Sequence, residues 1–114
     1  MRQRISTLLV AGDTYLTSRR GQIAALALRH GIATGWGSRE SVEVGGLASY
    51  AANRPEASRQ FGIYVGRVLK GEKPATLPVV QPTKFEMVIN LTTAKALGLT
   101  INRDLLFRAD EVIE

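Results

Sequence analysis

The sequence predicts an α/β fold, a layered sheet with flanking helices and at least part of the sheet parallel. Two strand-to-helix switches of hydrophobic period carry that expectation, together with one proline-containing connection that suits neither a helix interior nor a central strand. The clearer switch lies near the C-terminus. Lys84 to Leu91 alternates, with Phe85, Met87, Ile89 and Leu91 on one side and Glu86, Val88 and Asn90 on the other, as a half-buried strand does. Asn90 then precedes a Leu-Thr-Thr-Ala-Lys-Ala-Leu run and Gly98, the arrangement of an N-cap, a short helix and a C′ glycine.

The other elements follow in chain order. Ile5 to Val10 reads as a buried strand of β-branched and aliphatic residues, closed by the turn composition of Ala11-Gly12-Asp13-Thr14. Ser18 is placed to cap a helix in which Ile23, Leu26, Ala27 and His30 recur at helical spacing, with Gly31 as its stop. Ile32 to Trp36 supplies a short second strand. In Val42 to Tyr50, the Gly45-Gly46 pair calls for a turn or a close backbone approach. Pro55 suits the first turn of the next helix, where its missing N–H costs nothing. Its apolar stripe is Ala57, Phe61, Tyr64, Val65, Val68 and Leu69, ending at Gly71. Lys70 to Gln81, holding Pro74 and Pro78 with Pro82 just beyond, is an extended crossover. The expected organisation is a single α/β domain over residues 1–114 with a crossover linker at 70–82.

Composition excludes several classes of function. A chain of 114 residues, 45% hydrophobic and 22% charged, fits one domain with a sizeable core. It has no cysteine, which removes disulfides, thiolate catalysis and cysteine zinc sites, and its single histidine, His30, removes a multi-histidine metal site. The formal charge of +5 comes from scattered Lys and Arg, with Arg19-Arg20 the only adjacent pair and no basic run interleaved with aromatics, so no nucleic-acid partner is expected. Gly35-Trp36-Gly37-Ser38 lacks the glycine that a hydrolase nucleophile elbow needs after its serine, and neither glycine cluster forms a dinucleotide fingerprint. No enzyme activity and no cofactor are therefore expected. Met1-Arg2-Gln3-Arg4 is basic, but the run Leu8-Leu9-Val10-Ala11 is too short for a signal peptide's apolar region. A complete chain of this sequence would remain in the cytoplasm.

Pro82-Thr83-Lys84-Phe85-Glu86, Val88-Ile89-Asn90-Leu91 and Ala94-Lys95-Ala96-Leu97-Gly98-Leu99 closely resemble the C-terminal signature of the ABC-transporter substrate-binding proteins of the tryptophan/tyrosine-uptake type. These are two-lobed periplasmic binding proteins. The resemblance runs on through Leu105-Leu106 and Arg108 to Ile113. It also runs back through Gly45 to Tyr50, Val65 to Gly71, Lys73-Pro74 and Leu77-Pro78. Family members are more than twice this length, so the chain resembles their C-terminal lobe region only. The resemblance implies a periplasmic location, a small-molecule ligand held between lobes, and an ABC permease as partner.

In such proteins the loops at the strand ends face the cleft. The resemblance assigns to those loops the segments of Asp13 and Tyr15, of Trp36 and Ser38, and of Ser49 and Tyr50. Asp13 also follows a parallel strand, where open α/β sheets place ligand contacts, although by itself such a residue is more often an ordinary loop aspartate or an Asx-turn. Asp13 or Ser38 would hydrogen-bond an amine or carboxylate, and Tyr15, Trp36 or Tyr50 would stack on an apolar ligand body. Two residues depart from the family pattern: Ala51 stands where glycine commonly follows the tyrosine, and Ala33 where proline is usual. A chain without its companion lobe is further expected to form a homodimer or higher oligomer, by exchange of its C-terminal segment across the Lys70–Gln81 connection.

Overall fold

The computed structural model describes residues 5–114; the basic stretch Met1 to Arg4 lies outside the described residues. Five strands make one sheet whose spatial order is the chain order. β1 (Thr7–Leu9) runs parallel to β2 (Ala33–Trp36), with Leu9 opposite Gly35. β2 runs parallel to β3 (Ala48–Ala52), with Trp36 opposite Ser49. β4 (Phe85–Asn90) is parallel to β5 (Glu111–Ile113), with Val88 opposite Glu111. The central pair is antiparallel. Asn90 N–H donates to the Leu47 carbonyl (2.8 Å) at one end, and Asn53 N–H donates to the Lys84 carbonyl (2.9 Å) at the other. One edge of this mixed sheet thus gathers the C-terminal ends of β1, β2 and β3 and the N-terminal ends of β4 and β5.

The helices are α1 (Thr14–Ser18), α2 (Arg20–Arg29), α3 (Arg39–Glu43), α4 (Arg54–Leu69), α5 (Leu91–Ala96) and α6 (Arg103–Arg108). Asn90 caps α5 through its side chain, and Gly98 takes φ +72°, as the local chemistry requires. Other details differ from the sequence reading. Ser18 caps nothing: it ends α1 and donates to the Tyr15 carbonyl (2.6 Å), while α2 has Arg19 at its N-cap position without a side-chain bond. β1 is not buried. It is the edge strand, with Leu9 82% exposed, and only Val10 beyond it reaches the core. β4 gives up its alternation, because Val88, Ile89 and Asn90 are buried in succession, as in a strand covered on both faces. Leu91 belongs to α5 instead.

The chain divides into two compact units. The first runs through Ala51 and resumes from Glu86 to Glu114. Its core holds Val10, Ala24 and Trp36 in one cluster, with Leu16 and Ile23 packed against them, and also buries Val42, Val88, Ile89 and Ala94.

The second unit is Ala52–Phe85. Asn53 caps α4, its Oδ1 accepting from Glu56 N–H (3.1 Å), and Pro55 lies in the first turn. Residues 70–82 lie within this unit. They contain one 3₁₀ turn, Pro74–Thr76, and accept the Tyr64 hydroxyl at the Pro78 carbonyl (2.6 Å). A cavity of about 280 Å³ lies along α4, lined by Glu56, Gln60, Phe61, Tyr64, Val80 and Lys84 among others.

Within this unit the hydrogen bond from Arg59 is the main cause that holds the Glu56 carboxyl down at about 2, with Gln60 and Lys84 acting in the same direction. A depressed carboxylate stabilises the fold above its unfolded value and loses that contribution as the pH falls through the folded one. α4 is therefore expected to lose stability between about pH 4.5 and 2. Helix content followed through an acid titration checks this; Glu56→Gln should remove the dependence, and an unchanged titration of that variant would contradict it.

Candidate functional site

The candidates at the strand-end edge of the first unit come from the loops after β1 and β2 and from β3 itself, and the loop residues have local reasons for their places. Asp13 follows β1 and caps α1: its Oδ1 accepts from Tyr15 N–H (2.9 Å) and Leu16 N–H (3.1 Å), and neither bond uses Oδ2. Tyr15 is 66% exposed, with the Arg19 guanidinium 5.7 Å from its ring centre. Ser38 follows β2 and precedes α3; its hydroxyl bonds that of buried Ser41 (2.8 Å) and leaves the helix start without a side-chain cap. Tyr50, on β3, is 63% exposed.

Two of the six candidate residues lie inside. Trp36 is 5% exposed within the core cluster, and Ser49, its partner across the β2–β3 register, is 4% exposed. Trp36 is therefore part of the core rather than a stacking surface, because its place in β2 turns it to the same side as buried Thr34. Successive strand residues face opposite ways, so Ser49 and Tyr50 do not converge. The accessible candidates at the edge are Asp13, Tyr15, Ser38 and Tyr50.

Sequence reasoning missed the most heavily bonded side chain of this edge. Arg39, the first residue of α3, donates from Nε to Glu43 (3.1 Å) and from Nη1 to Glu86 (3.4 Å). Its Nη2 makes a short bond to Glu111. The bonds to Glu43 and then Glu111 raise its pKa, so the guanidinium stays charged at every physiological pH. Its partners on β4 and β5 are remote in sequence, so no local pattern marks it. At the opposite end of α3 a buried polar lattice takes over. Asn90 Nδ2 donates to the Val42 carbonyl (2.9 Å) and Thr93 Oγ1 to the Gly45 carbonyl (3.1 Å). Among the described residues no group of three or more His, Asp and Glu is arranged to hold a metal ion. Ser38 has a second serine, not an imidazole, as its hydroxyl partner.

A family model described as ABC transporter substrate binding protein matches residues 1–113. The chain belongs to this family. Solved structures agree with the fold. An ABC domain from Streptococcus pneumonia in complex with L-Trp superposes with TM-score 0.89 at 30% identity, over 96% of this chain and 37% of that one. A conserved domain protein from Vibrio cholerae O1 superposes with TM-score 0.87 at 26% identity, over 94% and 36%. A ligand-free, open substrate-binding protein with adhesive properties from Clostridium difficile shares the fold alone, with TM-score 0.68 at 21% identity over 95% and 36%. No curated protein matches. This ABC substrate-binding chain thus spans a little over a third of the solved chains it resembles. Among the described residues, no helix is long and apolar enough to cross a membrane.

Proposed function

We propose that this chain supplies one wall of the cleft in which an ABC transporter substrate-binding protein reversibly captures a small ligand, without catalysis. The observation that carries the reading is that Asp13 and Ser38 lie in the loops beyond the C-terminal ends of the neighbouring strands β1 and β2, with Tyr15 and, on β3, Tyr50 exposed to solvent. Crevices outside strand ends are where open α/β sheets bind ligands. An aromatic amino acid is the first ligand class to test, since a related domain at 30% identity is described in complex with L-Trp. In this reading the Asp13 carboxylate attracts the ligand ammonium, Ser38 bonds its carboxylate, and a tyrosine ring stacks on its side chain. Trp36 and Ser49 brace β2 and β3 from inside. The partner in transport is an ABC permease, and the compartment is the periplasm.

A second body has to complete the cleft. One wall buries roughly half of what a closed cleft buries, so affinity for L-tryptophan should be weak, with a Kd of about 1 mM. Calorimetry with L-tryptophan and L-tyrosine, against L-glutamate and L-arginine, tests the reading: the aromatic pair should bind, and Tyr50→Ala should weaken both at least fivefold. Equal heats for all four, or none, would count against it.

The second reading is a non-transporting domain that self-associates, as a homodimer with exchange of its C-terminal segment. It is favoured by the large apolar side chains on the surface of the second unit, Phe61 at 73%, Leu69 at 81% and Val79 at 96% exposure. Sedimentation at micromolar concentration separates the two: a stable monomer leaves only the first.

A further inference from the structure

We propose that Arg39 is a positioning residue, a releasable clasp that fastens the Ser38 loop to the starts of β4 and β5. Ligand at the strand-end edge is thereby felt at Glu86, where the chain re-enters the first unit. The inference rests on the reading of that edge as ligand-facing.

The geometry carries it in three steps. First, one guanidinium engages three carboxylates on three elements: Glu43 within α3, Glu86 on β4 and Glu111 on β5. Its planar fork of donors can serve several acceptors at once, which a lysine ammonium on a flexible stem does poorly. Second, β4 and β5 respond as one piece at that end. Met87 N–H donates to Asp110 Oδ2 (2.7 Å) and Asp110 N–H returns to the Met87 carbonyl (2.8 Å), so what moves Glu111 moves Glu86.

Third, the two ends of α3 are held by different physics. The C-terminal end is pinned by Asn90, 5% exposed, through its bond to the Val42 carbonyl. The N-terminal end is held by a guanidinium whose side chain is 35% exposed, with carboxylates 24% to 48% exposed. Exposed ion pairs are weak and screened by salt. The buried pin stays while the ionic clasp opens, and α3 pivots about Asn90 with Ser38 at its moving end.

Amide hydrogen exchange of the full chain, read residue by residue, tests the clasp without any ligand. Arg39→Gln should raise exchange about tenfold at residues 37–41 and 86–88 together, with residues 24–28 of α2 unchanged. Arg39→Lys should restore residues 37–41 but not 86–88. In the wild type, about 1 M salt, where screening is near 3 Å, should reproduce the Arg39→Gln pattern; this arm stands even where the variant fails to fold. A rise confined to residues 39–43, a rise spread evenly over the unit, or no salt response would overturn the clasp. A parallel titration with L-tryptophan separates the two ideas. Wild type that binds nothing removes the ligand reading, while the exchange data still decide the clasp. Wild type that binds without slowing exchange at 86–88 removes the coupling.

Discussion

Gly46→Ala is expected to destabilise the first unit by about 3 kcal/mol, the upper end of what overpacking a filled core costs. A Cβ at this position would press on the Trp36 indole nitrogen, lie 2.6 Å from its Cδ1 and sit 2.9 Å from the Ser41 carbonyl oxygen. None of these neighbours can yield cheaply. Trp36 is wedged in the core cluster with Val10 and Ala24, and the Ser41 carbonyl already accepts Gly46 N–H at 2.9 Å. The buried Trp36 Nε1 has no hydrogen-bond partner, so its contact with Gly46 is one of shape rather than bonding. Trp36 is the only tryptophan of the chain, and its emission reports directly on this packing. Denaturant unfolding followed at that emission should show the midpoint falling steeply. An unchanged midpoint would mean that the turn relaxes, and that Gly46 is not a constraint.

Asn90→Ala is expected to cost a similar amount, about 3 kcal/mol, for a different reason. Its side chain makes two buried bonds in opposite senses, accepting from Thr93 N–H (3.0 Å) as the cap of α5 and donating to the Val42 carbonyl (2.9 Å). Alanine removes both, and each stranded buried group costs about 1–3 kcal/mol, of which the cap accounts for about 1 kcal/mol. Asn90→Ser keeps an acceptor for the cap and should recover only that share. Thermal unfolding of the two variants checks the order. Equal loss in both would show that the cap contributes nothing and the Val42 bond everything.

The parts of the fold that were legible in the sequence are those fixed by neighbours in the chain. Asn90 and Gly98 bracket α5 within nine residues, and Gly31 and Gly71 take positive φ where helices were expected to stop. Gly45-Gly46 signalled a close approach, and Gly46 lies against Trp36. What failed needed distant partners. α3 is five residues, Arg-Glu-Ser-Val-Glu, without apolar periodicity, and it is held by Asn90 from far along the chain. β5 forms only because β4 offers it an edge. The boundaries of the second unit fall at Ala52 and Phe85, the last residue of β3 and the first of β4, so no linker composition marks them. The family resemblance places the Trp36 segment in a cleft loop; the side chain's burial follows from Thr34 on the same side of β2 and from Gly46 packed against it, neither visible in a local pattern.

The most direct test of ligand capture at the strand-end edge is amide chemical-shift perturbation on adding L-tryptophan to the wild-type chain. Saturable shifts are expected, grouped at residues 12–16, 37–39 and 49–52, with weaker ones at 86–88. Shifts confined to residues 53–84 around the cavity on α4, or none at millimolar ligand, would contradict it.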